Sequence, residues 1–199
     1  FLPEVIDMLY HRWGSFSTFQ RTRGVLRLLA LVIHSLKDSR LPYITLADFD
    51  LANQQIRREL LKHIGQEFDS VIASDITGQD AGARKIDANL GKAYQGLNLG
   101  SRAATTVFMH SFSGGVEHGA TLAEIKRHAT TLENPSSVVA EAADMLKGKL
   151  FYVHRPADLY FFTNQINLTR VLLTRMENVQ PERIRQTERE LLGQRISRE

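Results

Sequence analysis

Residues 121–163 read TLAEIKRHATTLENPSSVVAEAADMLKGKLFYVHRPADLYFFT, and this stretch decides the fold. Thr121-Leu122-Ala123-Glu124 is a capping box: the threonine hydroxyl accepts from the third helical N–H while the glutamate reaches back to the threonine's own N–H. It starts a helix that runs to about Thr130. Asn134-Pro135 predicts a second start, an N-cap with proline at the first helical position, and the helix over 136–146 is expected to stop at Gly148. Residues 150–153 and 159–163 are short, aromatic-rich and β-prone, and His154-Arg155-Pro156-Ala157-Asp158 between them has loop chemistry. Upstream, residues 102–112 are apolar and read as a helix, although the run Thr105-Thr106-Val107-Phe108 also suits a strand. Three helices followed by a β-hairpin is the order of a winged-helix module, and an unrelated small α+β subdomain is the alternative.

The helix at 136–146 would be the recognition helix of such a module. It offers Ser136, Ser137, Glu141, Asp144 and Lys147, with a formal charge of −1. Helices that read a major groove carry Arg, Lys, Asn or Gln toward bases and phosphates, so this one is poorly equipped. Lys147, Lys149, His154 and Arg155 are the candidate phosphate contacts, mostly through the wing. A packing or protein-docking role suits the composition better.

Toward the N-terminus, residues 4–12 predict a short helix broken at Gly14-Ser15. Ser17 or Thr18 then caps a long helix to about Leu36. Val25, Leu26, Leu28, Leu29, Leu31, Val32, Ile33 and Leu36 leave it only a narrow polar strip, which places it at the centre of the core. Arg21, Arg23 and Arg27 occupy its first turns, and no acidic residue lies between positions 8 and 37, where Arg12 also falls. Arginines near a helix N-terminus oppose the macrodipole, and Arg23 and Arg27 repel across one turn. They either pair with carboxylates from elsewhere or face an anion, for which the guanidinium fork is suited. Asp48–Asp50 marks a new N-cap before a helix over 51–64, which residues 67–77 could extend. A glycine-punctuated connector over 78–100 holds one or two helical turns near 83–90. Gly114, Gly115 and Gly119 form a turn, 167–176 is a helix, and the tail 182–199 mixes five arginines with four glutamates as a solvated helix.

Composition excludes several classes. The 199 residues, 43% hydrophobic and 24% charged, are globular in character. Without cysteine there is no disulfide, thiol nucleophile or thiolate zinc site. No apolar run approaches 18 residues, so no membrane span is expected. There is no P-loop and no GxGxxG. The seven histidines form neither HExxH nor an i, i+4 pair, and no metal site is expected. Asp75-Ile76-Thr77-Gly78 reads as a turn with an Asx cap rather than as a catalytic loop. The sequon Asn167-Leu168-Thr169 has no secretory context, and a cytoplasmic location is expected. The net charge of +3 does not by itself imply nucleic acid. No self-contained active site is visible, and the initial Phe1 raises the expectation of a piece of a longer protein.

Phe19-Gln20-Arg21-Thr22-Arg23-Gly24-Val25-Leu26-Arg27-Leu28-Leu29-Ala30 resembles a signature of the bacterial and archaeal family of predicted AAA+ ATPases catalogued as domain of unknown function 499. Pro3–Trp13, Ser74-Asp75-Ile76, 104–108 through Ser111-Phe112, and Gly119-Ala120-Thr121 are similar to neighbouring family blocks. The resemblance reaches to about Leu168. It implies a mainly α chain: a helical AAA+ lid-like subdomain over 1–77, the connector over 78–100, a winged-helix-like subdomain with one β-hairpin over 101–168, and a helical tail over 169–199. It implies ATP with Mg²⁺ held mainly by a core upstream in the same protein, with Arg23 or Arg27 (Arg21 more weakly) as the nucleotide-sensing arginine. The sequence does not choose between Arg23 and Arg27. It further implies partners among DNA or DNA-modification proteins in phage-defence or restriction-like settings, a homo-oligomer in the full-length form, and an isolated fragment without activity. The alternative is a non-enzymatic winged-helix module that binds DNA or protein.

Overall fold

In the computed structural model, which describes residues 1–115, 119–177 and 181–196, the helix at the centre is not the most apolar one in the sequence. Helix α1 spans Pro3–His11 and α2 spans Thr22–Ser35, linked by two 3₁₀ turns, Trp13–Ser15 and Ser17–Phe19. Helix α3 is Gln54–Ile64, and α4 is Phe68–Ile72, running on into a π-helical turn over Ala73–Thr77. Then come α5 (Gly82–Asn89), α6 (Leu99–His110), β1 (Ala120–Thr121), α7 (Leu122–Ala129), α8 (Ser136–Lys149), β2 (Val153–His154) and β3 (Leu159–Phe162). These lie in a first unit, residues 1–167. A second unit, 168–199, holds α9 (Leu168–Glu177) and α10 (Pro181–Ile196). The described chain is therefore mainly helical, with one small antiparallel sheet.

Helix α6 occupies the middle, packing on α5, α7, α8, the 3₁₀ turn Leu46–Asp48 and β3. Leu99, Gly100 and every residue from Ala103 to His110 are buried. Thr106 is satisfied locally, its Oγ1 donating to the Arg102 carbonyl at 3.0 Å. The segment 102–112 is thus helix as far as His110, and not strand. Helix α2, expected at the centre, lies at the surface. Val25, Leu28, Leu29 and Val32 face inward, while Leu26 and Ile33 remain 62% and 54% exposed. The segment 78–100, expected as a connector, contributes α5, which packs on both α6 and α8.

The three strands pair in the order β1-β3-β2, with Ala120 opposite Tyr160 and Val153 opposite Phe162. Strand β1 follows the turn expected over 114–119, of which 116–118 lie outside the described residues. The capping box at Thr121 is present: Thr121 Oγ1 accepts from Glu124 N–H, and Glu124 accepts from Thr121 N–H at 2.7 Å. Asn134 does not cap α8. Its Oδ1 turns back to accept from Thr131 N–H and Oγ1, which shapes the α7–α8 loop. Helix α8 also continues through Gly148 to Lys149, where the Leu150 N–H still reaches the Leu146 carbonyl. Strand β2 begins only at Val153, later than expected, because the amides of Phe151 and Tyr152 are occupied by Asp75. Helix α3 is capped by Asn53, which accepts from Gln55 and Ile56, instead of by the Asp48–Asp50 stretch. Among the described residues no helix is long and apolar enough to cross a membrane.

Candidate functional site

The arginine-bearing end of α2 is shaped by the residues before it. Trp13 is fully buried and donates from Nε1 to the Met109 carbonyl at 2.9 Å, which anchors the linker against α6. Phe19 is buried, and the chain then reverses through Gln20 (φ 56°) and Arg21 (φ 39°) into α2. Gly24 sits so close to this reversal that a Cβ there would lie 2.0 Å from the Phe19 carbonyl oxygen. Side chains beyond glycine are excluded at that distance, so Phe19, the reversal at Gln20-Arg21 and Gly24 of the signature are one local construction.

Arg21, Arg23 and Arg27 are all exposed. Arg27 pairs with Glu59 of α3 at 3.1 Å, whereas Arg21 and Arg23 have no ion pair with a described residue. Arg12 is also opposed, though by a residue far along the chain. It lies 3.8 Å from Glu124 and donates from Nη1 to the carbonyls of His110 (2.9 Å) and Gly119 (2.8 Å). The charge that sequence left unbalanced between positions 8 and 37 is therefore neutralised in space at Arg12 and Arg27, and stands open at Arg21 and Arg23.

The wing is arranged differently. Arg155 donates to Asp144 of α8 at 2.9 Å and to Asp158 at 3.5 Å, and its guanidinium lies 4.6 Å from the centroid of the Tyr160 ring. Tyr160 in turn donates from its hydroxyl to Asp144 at 3.2 Å, and burial pushes its phenol up to about 12. His154 pairs through Nε2 with the Gln165 carbonyl at 3.1 Å and stacks on Phe161. Two of the four proposed phosphate contacts are thus occupied within the protein. Lys147 is exposed and Lys149 half-buried. The outward side of α8 shows Ser137, Glu141, Asp144 and Lys147, so charges of both signs stand where a groove-reading helix would be basic.

Three acidic residues whose partners sequence reading did not find hold the frame. Asp75, fully buried in the π-helical turn, accepts from Phe151 N–H at 3.0 Å and Tyr152 N–H at 2.8 Å. The Asx-turn reading of this residue is thereby corrected. Asp87 of α5 accepts from Gly100 N–H at 2.7 Å and Ser101 N–H at 3.2 Å at the start of α6, and burial raises its carboxyl despite those bonds. Asp48 completes a capping box with Thr45 and pairs with Arg102. A cleft of about 720 Å³ lies between these last two, lined by Asp50, Arg84 and Thr105 among others, but Asp48 and Asp87 on its walls are committed to backbone and arginine partners. Each of the three reaches across 3 to 77 positions, and only the Thr45–Asp48 spacing has a local signature. Among the described residues no group of three or more His, Asp or Glu could hold a metal ion.

No protein-family model, curated protein or solved structure matches this chain.

Proposed function

We propose that the chain is a lid and winged-helix portion of an AAA+-type ATPase, with α2 facing a nucleotide held by an upstream core. One observation carries this reading: Arg23 and Arg27 stand one helical turn apart on the exposed side of α2, and Arg23 has no ion pair with a described residue. Two guanidinium groups so placed fit a polyphosphate, which presents several oxygens to each planar fork. Their role is to bind and orient the phosphate end of the nucleotide. ATP with Mg²⁺ supplies the reactive bond, and no residue of this chain is assigned to break it. The winged-helix reading of 101–168 is supported by the order α6-β1-α7-α8-β2-β3 and by a sheet in which β3 lies between β1 and β2. The association with DNA modification and phage defence rests on the family resemblance alone.

The test uses the longer protein. Arg23→Ala or Arg27→Ala is expected to lower ATP turnover by at least about tenfold, about 1.4 kcal/mol of transition-state stabilisation. Unchanged turnover in both variants removes the assignment, as does ordinary ATPase activity in this chain alone.

A second reading, a non-enzymatic docking module, is favoured by the Arg155–Asp144 pair, which closes the wing onto α8 and engages the wing's arginine within the protein. Under this reading the partner is a protein. A salt-dependent gel shift with duplex DNA separates the cases: tight binding at physiological salt would favour DNA, and weak binding favours protein.

A further inference from the structure

Glu59, on α3, is 5% exposed and is shared by more cations than its charge requires. A single oxygen, Oε2, takes both Arg27 Nη2 at 3.1 Å and Lys62 Nζ at 2.8 Å. Both cationic side chains stay open to solvent while bound, Arg27 at 60% and Lys62 at 50%. The other oxygen, Oε1, faces His63 Nε2 at 3.9 Å, too far for a hydrogen bond, and that nitrogen has no hydrogen-bond partner. His63 Nδ1 is 2.9 Å from Thr18 Oγ1, and the ring packs edge-on against Phe19. The cluster thus ties α3 to the turn that leads into α2, beside the unpaired arginines.

We propose that Glu59 is an internal competitor for phosphate: it holds Arg27 until an oxyanion of a di- or triphosphate arrives, then releases it and retains Lys62. This rests on the reading of α2 as the nucleotide-facing helix. A buried carboxylate stripped of its only partner is costly. Here Lys62, three residues along the same helix, remains within hydrogen-bond distance after Arg27 departs. His63 provides a reserve. With Thr18 donating to Nδ1, the Nε2–H faces Oε1 and has a short distance to close. Arg27, in contrast, exchanges a half-share of one carboxylate oxygen for a phosphate that can accept two parallel N–H bonds. Arg23 makes first contact, because nothing must be broken to free it.

The experiment titrates this chain with inorganic tripolyphosphate at fixed ionic strength. Glu59→Gln is expected to tighten binding by at least about fivefold. The double variant Glu59→Gln/Arg27→Ala should lose that gain, and Arg23→Ala should weaken binding in both backgrounds. A folded Glu59→Gln chain with wild-type affinity overturns the proposal. So that it does not hang on the folding of that variant, the wild-type chain is followed by ¹³C NMR of the glutamate carboxylates. The Glu59 resonance should move as tripolyphosphate saturates, and a stationary Glu59 signal at saturation also overturns it. The parent reading fails separately. If Arg23→Ala and Arg27→Ala leave ATP turnover of the longer protein intact while Glu59→Gln still tightens tripolyphosphate binding, the competitor stands and the ATPase lid falls. If turnover drops while the tripolyphosphate affinity ignores Glu59, the reverse holds.

Discussion

Gly24 is required by a neighbour. A methyl group there would meet the Phe19 carbonyl at 2.0 Å and the Phe19 ring at 2.9 Å, and backbone cannot move aside as a flexible side chain would. Gly24→Ala is therefore expected to destabilise the chain by about 2 kcal/mol or more, seen as a lower urea midpoint. Asp75 is the second decisive residue. Asp75→Ala leaves the Phe151 and Tyr152 amides without their acceptor, at a cost of about 1–3 kcal/mol for each amide left buried and unpaired. Asp75→Asn, which keeps one carbonyl acceptor, should lose less, and equal stability of all three proteins would contradict this role. Neither residue announced itself in the sequence. Gly24 stood out only as part of a resemblance, and Asp75 looked like a turn residue because its partners lie 76 and 77 positions away.

At the scale of elements, composition was a fair guide to where helices form and a poor one to which is buried. The apolar count of α2 pointed to the core, yet a helix at the edge of a small unit still exposes one side, and Leu26 and Ile33 occupy it. Helix α6 read as apolar over 102–112, although Arg, Ser, Thr and His interrupt it. Thr106 and Ser111 donate to the preceding turn and Arg102 pairs with Asp48, while the buried His110 has no hydrogen-bond partner among the described residues at either ring nitrogen. The strand order was half legible: the hairpin is evident in the aromatic runs, but β1, two residues long, has no periodicity to detect. The α6–α7 contact carries a prediction of its own. His110 and His128 lie with ring centroids 5.6 Å apart, both buried. Burial pushes His110 down to about 3 and His128 down to about 4. Glu124 pulls both upward, joined at His128 by Glu4 and Asp48. Arg12 and the neighbouring imidazole push His110 down further, and Arg127 does the same at His128. Both rings stay neutral in the fold while an unfolded chain takes up protons near 6.5. The stability is thus fully present above about pH 6.5 and is lost as pH falls toward 4, by about 1.4 kcal/mol per pH unit for each histidine. Urea unfolding at pH 7 and pH 5 checks this, and His110→Gln/His128→Gln should flatten the profile.

For the molecule as a whole, the chain partitions at Asn167, which is itself fastened to the first unit. Its N–H donates to the Phe151 carbonyl at 2.7 Å and its side chain to Val153 at 3.1 Å. A chain ending after Asn167 should therefore unfold cooperatively, with a Tm within about 3 °C of the full chain, a shift of about 1 kcal/mol or less. A loss of cooperativity would assign the second unit a structural role in the first. The N-terminal residues have the opposite dependence. Trp13 and Arg12 are held by carbonyls 96 to 107 positions downstream. A ribosome adds about 5–20 residues each second, so α1 waits for several seconds before its partners on α6 and beyond exist. Those two contacts fix an order of assembly for the first unit, in which Arg12 and Trp13 are placed only after residues 109–119 have been made.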